Sequence, residues 1–301
     1  MTVAVVVSLL AAVCFGVASV LQHDSALRAR RRTPLHPGLL ADLVRRPRWL
    51  VGVGAQFTGV ALHLFAVNIG PLSLVQPLLT TGLVVALLMQ RIAGRRVSHR
   101  ALLSASLVVV GLVVFLVEMP EQGVTTSADV EQWIPGLLLA GAVLASTLSA
   151  GLRGLGSARS VFLGASAGTV LATSAALGKA WGAVLRANGL FVLLGSWQLW
   201  AALACGLAGA LLSQAAFQAG PLGGSLAAMM AIDPVIGVGL GIVVFDEPFA
   251  TEATVIARCL GLLLTVVGVG LLAWTQRGDA RRLDRRIPVL LADARSGGSR
   301  G

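Results

Sequence analysis

One carboxylate stands apart in this sequence: Asp233 lies near the middle of an otherwise uncharged apolar run, residues 221 to 245. Placing an aspartate at the centre of a bilayer costs about 3 kcal/mol on insertion scales, so such residues face a cavity or a partner and mark ion and proton paths. Pro234 follows it, which disfavours helical geometry at Asp233 and removes the amide that would bond the Met230 carbonyl. A carboxylate beside freed carbonyls is a proton or cation site. The alternative is an Asp-Pro helix break whose carboxyl is satisfied by a neighbouring hydroxyl or amide.

Other polar side chains recur at helical spacing. Gly52, Gln56, Gly59 and His63 follow i, i+4, i+7, i+11 and share one face, His63 adding a group that can titrate. Gln214 and Gln218 stack at i, i+4, while Asn68 and Gln76 flank the turn Gly70-Pro71. These residues either line a polar translocation path or act as interhelical hydrogen-bond glue worth about 1 kcal/mol each. Pro71, Pro77, Pro221 and Pro234 punctuate the same region as candidate helix breaks or hinges. Gly164 and Gly168, and again Gly237 and Gly241, have the small-xxx-small spacing of close helix packing. Gly164-Ala-Ser166-Ala-Gly168 also satisfies the G-x-S-x-G pattern of a hydrolase nucleophile elbow, but that elbow needs a strand before it, and this one lies inside an apolar run. Cys14, Cys205 and Cys259 lack any pairing or metal-ligand spacing. No phosphate-binding loop is present, so no nucleotide or other cofactor, no resident metal and no enzymatic activity are expected.

The elements that must hold these residues follow from composition. Of 301 residues, 56% are hydrophobic and 12% charged, with 36 glycines and a mean hydropathy of +0.86, which excludes a water-soluble globule. A bilayer-spanning helix takes about 20 apolar residues. Runs of that kind occupy residues 2 to 21, 49 to 67, 71 to 90, 101 to 117, 133 to 152, 160 to 178, 197 to 218, 221 to 245 and 259 to 276. The expected fold is therefore all-α and polytopic, with nine transmembrane helices. The first run has no basic leader and no small-residue cleavage pattern, so it reads as a span rather than a signal peptide.

Charge orients these spans. Twenty of the 23 basic residues fall in four segments, 28 to 48, 91 to 100, 153 to 159 and 277 to 300, which alternate with segments holding Glu118, Glu121, Asp129, Glu131, Asp246, Glu247 and Glu252. Basic loops stay in the cytoplasm, so the amino terminus is expected outside and the carboxyl terminus inside. Arginine in place of lysine, with abundant Ala, Gly and Val, points to a GC-rich bacterium and its plasma membrane. The net charge of +10 is thereby assigned to topology and to anionic lipid head groups rather than to nucleic acid.

An internal repeat organises the spans. Ala66-Val-Asn-Ile-Gly70-Pro71-Leu72 matches Ala216-Phe-Gln-Ala-Gly220-Pro221-Leu222, Ser104 and Gly111 match Gly261 and Gly268, and Gly16 matches Gly168. Spans one to four pair with six to nine, and the odd number of crossings between mates inverts one set against the other. The divisions are residues 1–118 for the first repeat, 119–132 for an extracytoplasmic loop, 133–276 for a linking helix plus the second repeat, and 277–301 for a basic tail.

With its Gly-Pro turn, a proline-containing span (Leu74-Val75-Gln76-Pro77-Leu78 and Ala231-Ile232-Asp233-Pro234-Val235), a short charged loop and a closing glycine-bearing helix, each half resembles the drug/metabolite transporter superfamily, the second half most closely its EamA-like members. Nine helices rather than the usual ten make the arrangement similar to NIPA-type magnesium transporters. The resemblance implies a secondary transporter of a small organic solute or metabolite, with the bilayer and a small-molecule or ion substrate as partners and room for a homodimer; the depth of Asp233 makes it the candidate for proton coupling. A magnesium or other divalent-cation transporter is the second reading, although hard cations want several oxygen ligands and only one carboxylate lies deep. A non-transporting membrane scaffold or sensor is the third.

The orientation is checked by single cysteines on a cysteine-free background. Ser127→Cys should react with an impermeant thiol reagent on intact cells and Ser296→Cys should not; reversed labelling, or labelling of both, overturns the nine-span topology.

Overall fold

In lipid no water is available to the backbone, so each apolar run must satisfy its own N–H and C=O groups, which an α-helix does within one segment. The computed structural model describes residues 2–29, 36–69, 75, 78–95, 97–116, 130–246 and 254–275, apart from the side chains of residues 64, 67 and 68, and contains no strand among them. Seven helices there are long and apolar enough to cross a membrane: α1 (Thr2–Arg28), α5 (His99–Leu116), α6 (Val130–Arg153), α7 (Gly156–Leu194), α8 (Trp197–Ala219), α9 (Leu222–Phe245) and α10 (Thr254–Thr275). Between α1 and α5 come the short α2 (Gly38–Val44), the 23-residue α3 (Pro47–Ile69) and α4 (Gly82–Ile92), the last preceded by a helical turn from Leu78. The protein is a helical integral membrane protein.

Several boundaries differ from expectation. Helix α1 runs past the apolar stretch to Arg28, carrying Gln22, His23 and Asp24 on its last turns, because those side chains find partners in Gln214, Gly220 and Arg95. Helix α7 continues through residues expected in a loop as far as Leu194, because the stretch after Leu177 is rich in alanine and leucine and holds no proline. Its one break is Gly189, whose φ of 78° lies in the region glycine adopts freely. The Asp-Pro break expected at residue 233 is absent: α9 is continuous from Leu222 to Phe245, the proline costing one hydrogen bond that its packed neighbours support. Pro221 lies immediately ahead of α9 in extended geometry and starts that helix rather than hinging it. Pro71, Pro77 and Gln76 lie outside the described residues, as do the loop before α6 and the tail.

Close backbone approaches fix the helix directions. In the first half Gly59 meets Phe15 and Gly52 meets Leu21, so α1 and α3 are antiparallel; Gly82 meets the Ala12 carbonyl and Gly16 the Ala86 amide, so α1 and α4 are parallel. In the second half Gly209 meets Leu171 and Gly220 meets Ser160, so α7 and α8 are antiparallel; Gly164 meets Ser225 and Gly168 meets Met229, so α7 and α9 are parallel. Gln214 reaches Gln22 and Gln218 reaches Ala26, so α8 runs parallel to α1, and α7 therefore runs against α1. Helices α5 and α10 close the arrangement as an antiparallel pair, Gly111 against Gly261 and Gly268 against Ser104 and Val108.

Three apolar clusters fill the spaces between these crossings. One joins α1, α4, α5, α8, α9 and α10 around Leu83, Leu87, Phe217, Leu222 and Leu226. A second joins α6 to α9 around Trp133, Ile236, Leu240 and Phe245, where Trp133 stands edge-on to Trp197 and Phe245 at 5.6 Å each and Lys179 lies 4.4 Å over the Phe245 ring. The third packs Leu39 and Leu43 of α2 with Leu163, Ala167 and Leu212.

A Cβ at Gly164 would lie 2.3 Å from the Ser225 carbonyl oxygen, whereas one at Gly237 would meet nothing within 4 Å. Gly164→Val should therefore cost about 1–3 kcal/mol of overpacking strain and lower the melting temperature in detergent. Gly237→Ala should leave it unchanged or raise it slightly.

Candidate functional site

The stripe of α9 that carries Asp233 is Leu222, Leu226, Met230, Asp233, Gly237, Leu240 and Val244, spaced by threes and fours along one face. Leu222 and Leu226 are buried against α1, α4 and α5, and Leu240 and Val244 are buried in the aromatic cluster beside α6. Between them the stripe opens. Asp233 is exposed, and no atom stands within 4 Å of a Cβ at Gly237. Because the residues above and below it on the same stripe are buried against other helices, the open side chain of Asp233 faces a gap between those helices, called the crevice below. The expected tight packing at Gly237 is thus absent, while at Gly164 and Gly168 it is present.

A second polar group lies at the end of the molecule where Arg28, Arg46 and Arg95 gather. Gln214 is 2% exposed; its Nε2 donates to Gln22 Oε1 at 2.8 Å and its Oε1 accepts from Trp49 Nε1 at 3.3 Å. Gln22 Nε2 donates to the Gly52 carbonyl at 3.5 Å and Gln218 Nε2 to the Ala26 carbonyl at 3.0 Å. His23, also 2% exposed, places Nε2 3.1 Å from the Gly220 carbonyl and its ring edge-on to Phe217. The next residue, Asp24, pairs with Arg95, and Arg46 donates to the Arg28 carbonyl at 2.7 Å.

The candidates read from sequence therefore separate. Gln214 and Gln218 come together with residues the sequence reading passed over, Gln22, His23, Asp24, Trp49 and Arg95. Asp233 stands in the crevice. On α3, Gly52 and Gly59 are buried against α1, Gln56 is exposed, and His63 is half-buried with Nδ1 lacking a hydrogen-bond partner among the described residues. The Asn68 side chain lies outside the described residues, although its backbone is part of α3. Ser166 sits in the interior of α7, bonded to the Phe162 carbonyl and 3.0 Å from Thr147 Oγ1, without the strand and turn of a nucleophile elbow. The signal that could have found Gln22 and His23 was their helical continuity with the first apolar run, one turn past its end.

Comparison with known proteins adds breadth but no function. The chain is 27% identical over 266 residues to an uncharacterised protein of Corynebacterium glutamicum, covering 88% of this chain and 92% of the relative. No family model matches the chain. No solved structure matches it either.

The bond between α1 and α8 is tested by a double-substitution cycle with Gln22→Leu and Gln214→Leu. Interhelical polar pairs in membranes are worth about 0.6 kcal/mol on average and up to about 1.7, so a coupling of about 1 kcal/mol is expected in denaturation with sodium dodecyl sulfate. Additive effects would mean that the two amides do not act together.

Proposed function

We propose that this protein is a secondary transporter of a small organic solute or metabolite, a relative of the EamA-like drug/metabolite transporters built from nine crossings in two inverted repeats. The observation that carries the reading is the stripe of α9, buried at both ends and open at Asp233 and Gly237 between them. A lone carboxylate in a mid-span crevice suits a proton or cation relay and is hard to justify as packing. The inverted arrangement is supported by the helix directions: α1 pairs antiparallel with α3 and parallel with α4, α7 repeats both relations with α8 and α9, and α7 runs against α1. Two similar halves of opposite orientation supply two equivalent ways to enclose one site, as alternating access requires. The arginine-rich end is the cytoplasmic one on this reading, and the amino terminus lies outside.

A thermal-shift screen of the purified protein against metabolites, organic cations and divalent ions identifies the compound to follow. Uptake of that compound into proteoliposomes under an imposed proton gradient then tests Asp233. Asp233→Asn should fold but lose at least about tenfold in gradient-driven accumulation, since a mid-span relay needs a group that can gain and lose a proton. Asp233→Glu should retain part of the accumulation with a displaced pH optimum. Wild-type uptake by the Asn variant would remove proton coupling, and stabilisation by magnesium alone would replace the organic solute with a divalent cation.

A further inference from the structure

We infer that the side-chain cluster at the arginine-rich end is a gate, closed in this structure, that separates the Asp233 crevice from that side of the membrane. The inference rests on the transporter reading. Side-chain hydrogen bonds join the first half to the second there, and four of them among the described residues are Gln214 to Gln22, Trp49 to Gln214, Gln218 to the Ala26 carbonyl, and His23 to the Gly220 carbonyl. Hydroxyl bonds within one half, such as Ser160 to Ala216 and Ser174 to Ala202, tie α7 to α8 and need not change when the halves move.

Next to the polar bonds lies an apolar plug. Val20, Leu83, Leu87, Phe217, Leu222 and Leu226 belong to one buried cluster, and His23 stands against Phe217 at 5.9 Å between ring centres. Leu226 and Leu222 occupy the same stripe of α9 as Asp233, one and two turns respectively nearer the arginine-rich end than Met230. A solute at Asp233 that leaves toward that end must therefore pass the plug and the bonds that hold it shut.

The chemistry of the bonds suits a device that opens. Two of the four end on backbone carbonyls, and the remainder join neutral amide and indole groups, so water can replace each partner when the halves part. The ion pair of Asp24 with Arg95 lies within the first half and can travel with it. Gly220, whose carbonyl receives His23, closes α8 immediately before Pro221 starts α9, so the latch grips the turn that leads into the helix carrying Asp233.

The test uses the full-length chain with Cys14, Cys205 and Cys259 replaced by alanine and one reporter, Gly237→Cys, at a position with free space for the new side chain. An impermeant maleimide is supplied to sealed vesicles from either side. With the latch intact, reaction from the arginine-rich side should be slow. Adding Gln214→Met and Gln218→Met should raise that rate at least about fivefold, with an unchanged elution profile in size-exclusion chromatography. Gln218→Met alone removes the bond to Ala26 while leaving those of Gln214 and should give a smaller rise in the same direction; it serves if the double variant does not fold. Equal rates from the arginine-rich side with and without the latch overturn the gate. If the reporter then still reacts from the opposite side, the crevice and the transporter reading stand without it; a reporter silent from both sides in every variant removes the water-filled path, and the transporter reading with it.

Discussion

Helices surrounded by lipid gain nothing from setting leucine against leucine, because the tails they leave are equally apolar, so they associate where backbones can touch and where polar groups find one another. That constraint governs this molecule. Its helix crossings fall at glycines: Gly111 against Gly261, Gly164 against Ser225, Gly16 against Ala86, Gly209 against Leu171. Such contacts are short and unforgiving, and they set the direction and register of each pair more firmly than the leucines around them do. The leucine-rich clusters then fill what the crossings leave, and the exposed apolar faces of α6 and α10 are what such helices present to lipid.

Polar contacts are distributed differently from the glycine seams. Hydroxyls of Ser8, Ser19, Ser104, Thr169 and Thr173 bond back to carbonyls of their own helix and settle their own desolvation cost locally. The amides of Gln22, Gln214 and Gln218 and the His23 ring instead reach across between the halves, at the end where water is nearest. A bond that water can replace is cheap to break there and expensive to break at mid-depth. The same reasoning applies to Asp233, which has no hydroxyl or amide partner among the described residues and faces the crevice instead.

How much of this was legible in the sequence depends on what hydropathy measures. It reports the cost of placing a residue in lipid, and on that ground seven of the apolar runs map onto membrane-capable helices among the described residues. It does not report where a helix ends. His23 and Asp24 looked like a loop because alone they would be costly in a membrane, yet α1 carries them as helix because Gly220 and Arg95 receive them. The stretch after Leu177 looked like a loop because Lys179 and Arg186 interrupt it, yet neither charge interrupts backbone bonding and Phe245 accepts Lys179 on its ring face. Pro234 marked a break by local geometry, but one missing amide in a long packed helix is a small loss. The latch itself was half legible: Gln214 and Gln218 announced a polar face by their spacing, while their partners are distant in sequence and no periodicity could pair them.

The repeat also has a consequence for stoichiometry. Aligned through the Gly-Pro turns, Asp233 corresponds to Leu83; aligned through the helix crossings, where Gly82 meets Ala12 as Ser225 meets Gly164, it corresponds to Gln90. The two alignments differ by two helical turns, so the helix crossings and the Gly-Pro sequence match do not share one register. Under either alignment the mate of the one mid-span carboxylate is uncharged, and both Leu83 and Gln90 are buried rather than open. A duplicated scaffold that kept a carboxylate in both halves would place two like charges close together at its centre, and their repulsion would hold one of them protonated. Keeping the charge in one half leaves a single site whose occupancy is not tied to a twin. The two halves therefore share helix directions, while the carboxylate stands in α9 alone.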